Sequence, residues 1–189
     1  RFTYPVFVHL KGKDLYARKD DSTYQRDDFH ANPQDYTCLF LPFSKMTDIL
    51  MNGIYWDKNI PRLFELEDMK RPDFNLPVIS DITCDENGSV PCNIGSTSIA
   101  DPVYGFDKNT MSKAPPFQNS FDVVDVMAVD NLPNELPRDA SKYFGAFLEE
   151  YVLPDLVKNS SSGVIERATI CKAGKLTSFY EYLSDYAYH

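Results

Sequence analysis

What this chain lacks first is clustered glycine. Its eight glycines, Gly12, Gly53, Gly88, Gly95, Gly105, Gly145, Gly163 and Gly174, never fall within five residues of one another. A GxGxxG turn needs glycines for the tight bend and for close backbone approach to a pyrophosphate, so none can be built here, and neither can a Walker A loop. Positive charge is also short. Nineteen Lys and Arg stand against 28 Asp and Glu, a net charge of −9 with no basic run. That excludes nucleic-acid binding by phosphate neutralisation, although a local pocket for an anion stays open because a local field need not follow the total. No apolar run reaches the roughly 18 to 20 residues that span a bilayer. Arg1-Phe2-Thr3-Tyr4-Pro5 has neither the apolar core nor the cleavage site of a signal peptide.

Catalytic groups are scarce as well. The histidines are His9, His30 and His189, each without a carboxylate or nucleophile beside it. No GxSxG, HExxH or metal-type aspartate cluster occurs, so no catalytic residue and no metal ligand is assigned. The aspartates at 20, 21, 27 and 28 read as a solvated loop. Cys38, Cys84, Cys92 and Cys171 show no CxxC pair and no histidine at zinc-ligand spacing, which fits free thiols in a cytoplasmic protein. Asn87-Gly88-Ser89 and Asn159-Ser160-Ser161 match glycosylation acceptors, but such triplets arise by chance and no secretory signal supports them.

What is present is a globular balance, 43% hydrophobic and 25% charged, with enough aromatic residues to argue against disorder. The chain is long enough for one domain with a real core, or for parts of two. It starts without methionine and looks cut from something longer.

Three segments stand out: Asn52-Gly53-Ile54-Tyr55-Trp56, Asp81-Ile82-Thr83-Cys84-Asp85 and Val129-Asp130-Asn131-Leu132-Pro133. Each follows a short apolar, strand-like run. In an open α/β sheet that position is the carboxyl edge, where ligands bind. Strands are expected over 6–10, 48–54, 77–82 and 121–129, with 48–54 apolar on both faces as a sandwiched parallel strand would be. Residues 11–30 read as a loop. Asn32-Pro33 reads as a helix start stopping near Pro42, and a short helix covers 65–70. Residues 97–99 and 103–104 read as hairpin strands in a Gly/Pro/Asn/Ser-rich stretch.

The clearest helix runs over 138–153 on the stripe Ala140, Phe144, Phe147, Leu148, Tyr151, with Pro154 kinking or ending it. A second covers 164–171 with Gly174 as its stop, and a capping box at Ser178-Phe179-Tyr180-Glu181 opens the last. Strand–helix alternation implies a parallel sheet.

At the three edges the chain resembles the lysine–ketoglutarate reductase and saccharopine dehydrogenase family. The residues are Asn52 to Trp56 with Asn59-Ile60-Pro61-Arg62-Leu63, then Asp81 to Asp85, then Asp130-Asn131-Leu132-Pro133-Asn134-Glu135-Leu136-Pro137-Arg138. The resemblance runs over about 24–156. Its Asn131-Leu132-Pro133 element is shared with alanine dehydrogenases and transhydrogenases, whereas Gly53-Ile54-Tyr55-Trp56 is specific to the saccharopine branch.

The family resemblance implies an α/β fold with a Rossmann-like, mostly parallel sheet and flanking helices. It places a partial dinucleotide-binding domain over 1–157 and a C-terminal helical return segment over 158–189. The implied cofactor is NAD or NADP, contacted by Gly53, Ile54, Tyr55, Ile82, Val129, Asp130, Asn131 and Leu132. The implied substrate is a small amino acid or keto acid, contacted by Thr83, Cys84 and Asp85. The family's Gly-rich loop and acid–base pair would lie earlier in the parent sequence, so the segment alone is expected to be inactive.

Two other readings stay open, a non-catalytic ligand-binding or assembly module and an alanine dehydrogenase-like enzyme. Asn52 and Asn131 also suit strand-end caps, and Tyr55 and Trp56 also suit sheet-edge packing. No nucleic-acid or membrane partner is expected. The aromatic segment Phe179, Tyr180, Tyr182, Leu183, Tyr186 is expected to stay exposed and to be covered by self-association.

Overall fold

The computed structural model describes residues 3–158 and 162–188. They divide into two units, Arg1–Asp130 and Asn131–His189. The first unit begins with α1 (Gly12–Leu15), β1 (Tyr16–Arg18), α2 (Arg26–Ala31) and β2 (Tyr36–Cys38), and β2 pairs antiparallel with β1. The expected loop over 11–30 is therefore corrected. Aromatic packing orders it: the Tyr16 and Phe29 ring centroids lie 4.6 Å apart, those of Phe29 and Tyr36 5.1 Å. Arg18 pairs with Asp28 at 2.5 Å. Asp28 also accepts hydrogen bonds from the Tyr36 hydroxyl and the Asn32 amide, which hold its carboxyl below the usual range. It is a structural group rather than part of a solvated run.

Residues 6–10 form no strand, because no neighbouring segment among the described residues offers them a backbone partner, and Phe7 lies exposed. Asn32-Pro33 opens only a single 3₁₀ turn, Pro33–Asp35, since the Asn32 side chain is drawn to Asp28 instead of capping. The next helix, α3 (Leu41–Ser44), carries Pro42 in its first turn, so the chain becomes helical there rather than stopping. Proline in a first turn forfeits no hydrogen bond.

The main sheet follows. It comprises β3 (Ile49–Asn52), β4 (Val78–Asp81), β5 (Val103–Asp107), β6 (Ser112–Ala114) and β7 (Val123–Met127), in the order β3-β4-β7-β5-β6. β3, β4 and β7 run parallel, and the β5–β6 hairpin returns antiparallel beside β7. The expected α/β, Rossmann-like, mostly parallel sheet is borne out, with 6–10 outside it. The hairpin sits later than expected; Asp107 closes it by accepting the N–H groups of Asn109 and Thr110. Thr97, read as a hairpin strand, instead makes a parallel bridge with Val129. A 3₁₀ turn occupies Leu66–Lys70.

The strands alternate. Ile79, Val124, Val126, Tyr104 and Phe106 are buried, joining Phe40, Phe64, Met69, Phe74 and Leu76 in one core. Ile49 and Met51 on the opposite face of β3 are 61% and 63% exposed. The expectation that this strand is apolar and covered on both faces is thus overturned, because period-2 geometry gives the core only every second residue.

In the second unit, α4 (Pro137–Phe147) continues through a π-type turn, Leu148–Val152, into α5 (Leu153–Lys158). Pro154 does not end the helix. An interior proline ring clashes with the carbonyl four residues back, and a wider turn just before it relieves that contact. Next come α6 (Val164–Ala168), the hairpin β8 (Cys171–Lys172) and β9 (Lys175–Leu176), and α7 (Ser184–Ala187). The helix expected over 164–171 stops early because Ala173 and Gly174, both at positive φ, make the two-residue turn of that hairpin.

Ser178–Leu183 is 3₁₀ in character, with Tyr180 out of helical geometry and no side-chain cap at its start, so the expected capping box is absent. Tyr182 and Tyr186 are 76% and 90% exposed, as the terminal aromatic patch required. Asn159-Ser160-Ser161 and His189 lie outside the described residues.

Two outcomes check this architecture. Ile79→Ala is expected to destabilise by about 3 kcal/mol and Met51→Ala by about 0.5 or less, measured by urea unfolding. Burial pushes the Cys38 thiol up to about 11 and Tyr104 to about 12. A raised pKa favours the neutral form in the folded state. That stability is fully present below the ordinary thiol value and is lost as pH rises through the folded one. The melting temperature should therefore fall between about pH 9 and 11, and fall less in Cys38→Ala.

Candidate functional site

Parallel register sets Asn52 opposite Asp81 at the carboxyl ends of β3 and β4. Both side chains are buried, as are Ser89 and Asn93 from the loop that follows. Their hydrogen bonds form one network. Asn52 Nδ2 donates to Asp81 Oδ1 at 2.9 Å and to Ser89 Oγ at 2.8 Å. Asn93 Nδ2 donates to Asp81 Oδ2 at 2.7 Å, and the Thr83 hydroxyl to Asp81 Oδ1 at 2.7 Å. A carboxyl group taken out of water is costly unless its lone pairs are met, and three side chains meet these. Asn52 Oδ1 has no partner among the described residues, a leftover acceptor at the same edge.

The turn carrying the expected substrate contacts hangs from this hub. Cys84 adopts a left-handed backbone at φ 56°, and its thiol donates to the Val129 carbonyl at 3.1 Å, tying the turn to the segment after β7. Burial, then the carboxylates of Asp81, Asp130 and Asp85, push the Cys84 thiol upward, so it is a neutral donor and not a thiolate nucleophile. Asp85 is exposed, and its carbonyl accepts the Gly88 N–H at 2.9 Å. A Cβ on Gly88 would come within 2.5 Å of the Asp85 Cβ, so only glycine closes this turn.

Arg62 braces the loop from outside. Its Nε donates to the Gly88 carbonyl at 3.1 Å and its Nη2 to the Asn87 carbonyl at 2.8 Å. The guanidinium lies over the Trp56 ring at 5.9 Å, while the indole N–H is held by the Ile60 carbonyl.

The structure thus brings together Ile82, Thr83, Cys84, Val129 and Asp130. The Ile82 N–H donates to the Asn52 carbonyl, and the Asp130 N–H to Thr97. Gly53 adjoins them, with open space where a side chain would be. Ile54 packs against the core, while Tyr55 is 73% exposed with its ring centroid 6.3 Å from that of His30. Asn131 and Leu132 fall in the second unit, where Asn131, at φ 57°, precedes the 3₁₀ turn Leu132–Glu135 without side-chain capping.

Asn52 and Trp56 both make structural contacts, Asn52 to Asp81 and Ser89 and Trp56 to the Ile60 carbonyl. None of the expected site residues lines the groove of about 510 Å³ between Lys19, Tyr36, Trp56, Lys58 and Arg62. Sequence reasoning missed Ser89 and Asn93. The run from Gly88 to Asn93 carries no charge, but its burial shows only in the structure. The four cysteines are free, and among the described residues no group of acidic, cysteine or histidine side chains could hold a metal.

No protein-family model matches the chain. It is 34% identical over 182 residues to an alpha-aminoadipic semialdehyde synthase of Arabidopsis thaliana, covering 92% of this chain and 17% of the relative. The mitochondrial alpha-aminoadipic semialdehyde synthase of Mus musculus is 30% identical over 88% of the chain and 21% of its own length. The chain is homologous to a segment of the saccharopine dehydrogenase family. A saccharopine dehydrogenase [NAD(+), L-lysine-forming] of Neurospora crassa matches 54% of the chain at 32% identity, covering 27% of that relative. The chain therefore spans about a fifth of the length of the first of these family members. Alanine dehydrogenase and a stand-alone module are not favoured by these matches.

The hub makes a sharp contrast testable. Asp81→Ala leaves Asn52, Thr83 and Asn93 donors unpaired in the interior and should cost about 3 kcal/mol or more. Asp85→Ala, at an exposed position, should stay within about 0.5 kcal/mol. Denaturant midpoints of the two variants check this.

Proposed function

We propose that this chain is the part of an NAD(P)-dependent oxidoreductase of lysine metabolism that supplies one wall of its cofactor and substrate cleft. The observation that carries the reading is convergence. Residues 52–54, 81–85 and 129–130, the segments that carry the family resemblance, meet at one carboxyl edge through the Asn52–Asp81 and Cys84–Val129 contacts. That edge is where ligands bind in open α/β sheets.

A nicotinamide group fits what is present. Gly53 leaves room for close approach, Ile82 is exposed beside it, and Asn52 keeps an unused acceptor. Gly53, Ile54, Tyr55, Ile82, Val129 and Asp130 would hold the cofactor. Thr83, Cys84 and Asp85 would contact an amino-acid or keto-acid substrate. When bound, the nicotinamide supplies hydride transfer to or from the substrate carbon, in reductive condensation of lysine with 2-oxoglutarate or oxidation of saccharopine. The chain's own part is orientation: a turn fixed by Asp81, and a neutral Cys84 thiol that fastens this turn to the neighbouring strand end.

NAD and NADP are equally consistent with the residues named. Free cysteines suit a reducing compartment such as the cytoplasm expected from the sequence, while the mouse relative is named as mitochondrial. Among the described residues, no helix is long and apolar enough to cross a membrane.

The reading is tested with two proteins. Residues 1–189 alone should show no saccharopine-linked nicotinamide reduction, because the phosphate loop and acid–base pair are not in this sequence. Orientation alone accounts for roughly 7 to 11 kcal/mol of such a barrier. The same segment joined to the upstream portion of a family member should regain turnover. Turnover by 1–189 with contamination excluded, or a joined protein that binds neither cofactor nor saccharopine, would overturn it.

A further inference from the structure

The chain contains two Asn-Gly dipeptides, Asn52-Gly53 and Asn87-Gly88. This pair is chemically the weakest point of a backbone, because glycine has no Cβ to hinder ring closure. Hydroxide removes the glycine amide proton, and the nitrogen attacks the asparagine Cγ. The N–Cγ bond forms, the Cγ–Nδ2 bond breaks, and ammonia leaves with a proton from water. One water then opens the resulting succinimide to aspartate or isoaspartate. The step is a hydrolysis and needs no redox partner.

The two sites differ in everything that governs this reaction. Asn52 is buried, and its Nδ2, the leaving group, is held by Asp81 and Ser89. Asn87 is exposed, in the left-handed region at φ 50°, and its side chain makes no hydrogen bond among the described residues. What restrains Asn87 is the backbone. The Gly88 nitrogen, which must attack, donates to the Asp85 carbonyl at 2.9 Å, and the Asn87 N–H donates to the Asn93 carbonyl at 2.7 Å. Arg62 grips the carbonyls on both sides of the reacting nitrogen, those of Asn87 and Gly88. Its own position is fixed by the Trp56 ring and by Glu65 at 3.1 Å.

We propose that Asn87 is a deamidation site of this chain and that the Arg62 clamp sets its rate. Gly88 N must leave Asp85 and rotate toward the Asn87 Cγ, and that rotation carries both carbonyls out of the guanidinium. Conversion would add a negative charge two residues from Asp85, on the turn next to the strand edge.

The test follows the deamidation mass change by peptide mapping of folded 1–189 at mildly alkaline pH, beside a free peptide of residues 84–91. Asn87 should convert more slowly in the protein than in the peptide, and Asn52 should stay intact. Arg62→Ala should speed conversion at Asn87 about tenfold, the effect of losing two hydrogen bonds. Arg62→Lys keeps the charge but cannot span both carbonyls, and should speed it less. The proposal is overturned if Asn87 converts at the peptide rate in the wild-type protein, if Asn52 converts first, or if neither variant changes the rate. Equal acceleration at Asn52 and Asn87 in both variants would reveal general opening and would also overturn the role of Arg62.

Discussion

The carboxyl group of Asp81 is the constraint on which the first unit depends. Its two oxygens are shared among a neighbouring strand through Asn52, a following loop through Asn93 and its own turn through Thr83. A neighbouring strand, a later loop and the adjoining turn are thereby fixed to one point with no ion pair. Both Asp81 oxygens are met in this interior network, which makes the geometry specific, and Asn52 Oδ1 is its one unmet acceptor among the described residues. An apolar residue at 81 would leave the strands paired and release the turn.

That hub also explains how a segment with so little regular structure keeps an ordered edge. The strands contribute three to five residues each, and the chain between β3 and β4 carries only a 3₁₀ turn. Order comes instead from side chains that bind backbone. Arg62 holds two carbonyls, the Tyr104 hydroxyl takes the Ile94 N–H and donates to the Cys92 carbonyl, and Trp56 holds the Ile60 carbonyl. The Trp56 that marks the family resemblance therefore acts as a platform for the arginine that secures the second motif.

Much of the sheet was legible in the sequence. Ile49 to Asn52, Val78 to Asp81 and Val123 to Met127 are short apolar runs bounded by polar edges, and each forms a parallel strand. Residues 6–10 have the same composition and no partner, and pairing is not a local property. Residues 11–30 failed in the opposite sense. Their order rests on Tyr16, Phe29 and Tyr36 meeting across twenty residues, which no periodicity records. At the site, the turn 82–85 and the segment at 129 were legible as strand ends. Ser89 and Asn93 were not, because a buried polar residue and a solvated one look alike until the lone pairs they serve are located.

The widened turn at Leu148–Val152 has a consequence for the helix that contains it. A π-type turn lags an α-helix by roughly a quarter of a revolution over its length. The apolar residues of α5, Leu153, Leu156 and Val157, are therefore out of phase with Phe144 and Phe147 on α4, and one continuous rod presents two headings. Deleting a single residue from this turn would bring the headings into line, but it would also drive the Pro154 ring against the carbonyl four positions before it. The bulge and the proline are a matched pair, tolerable together and not apart, and any shortening of this helix must remove both.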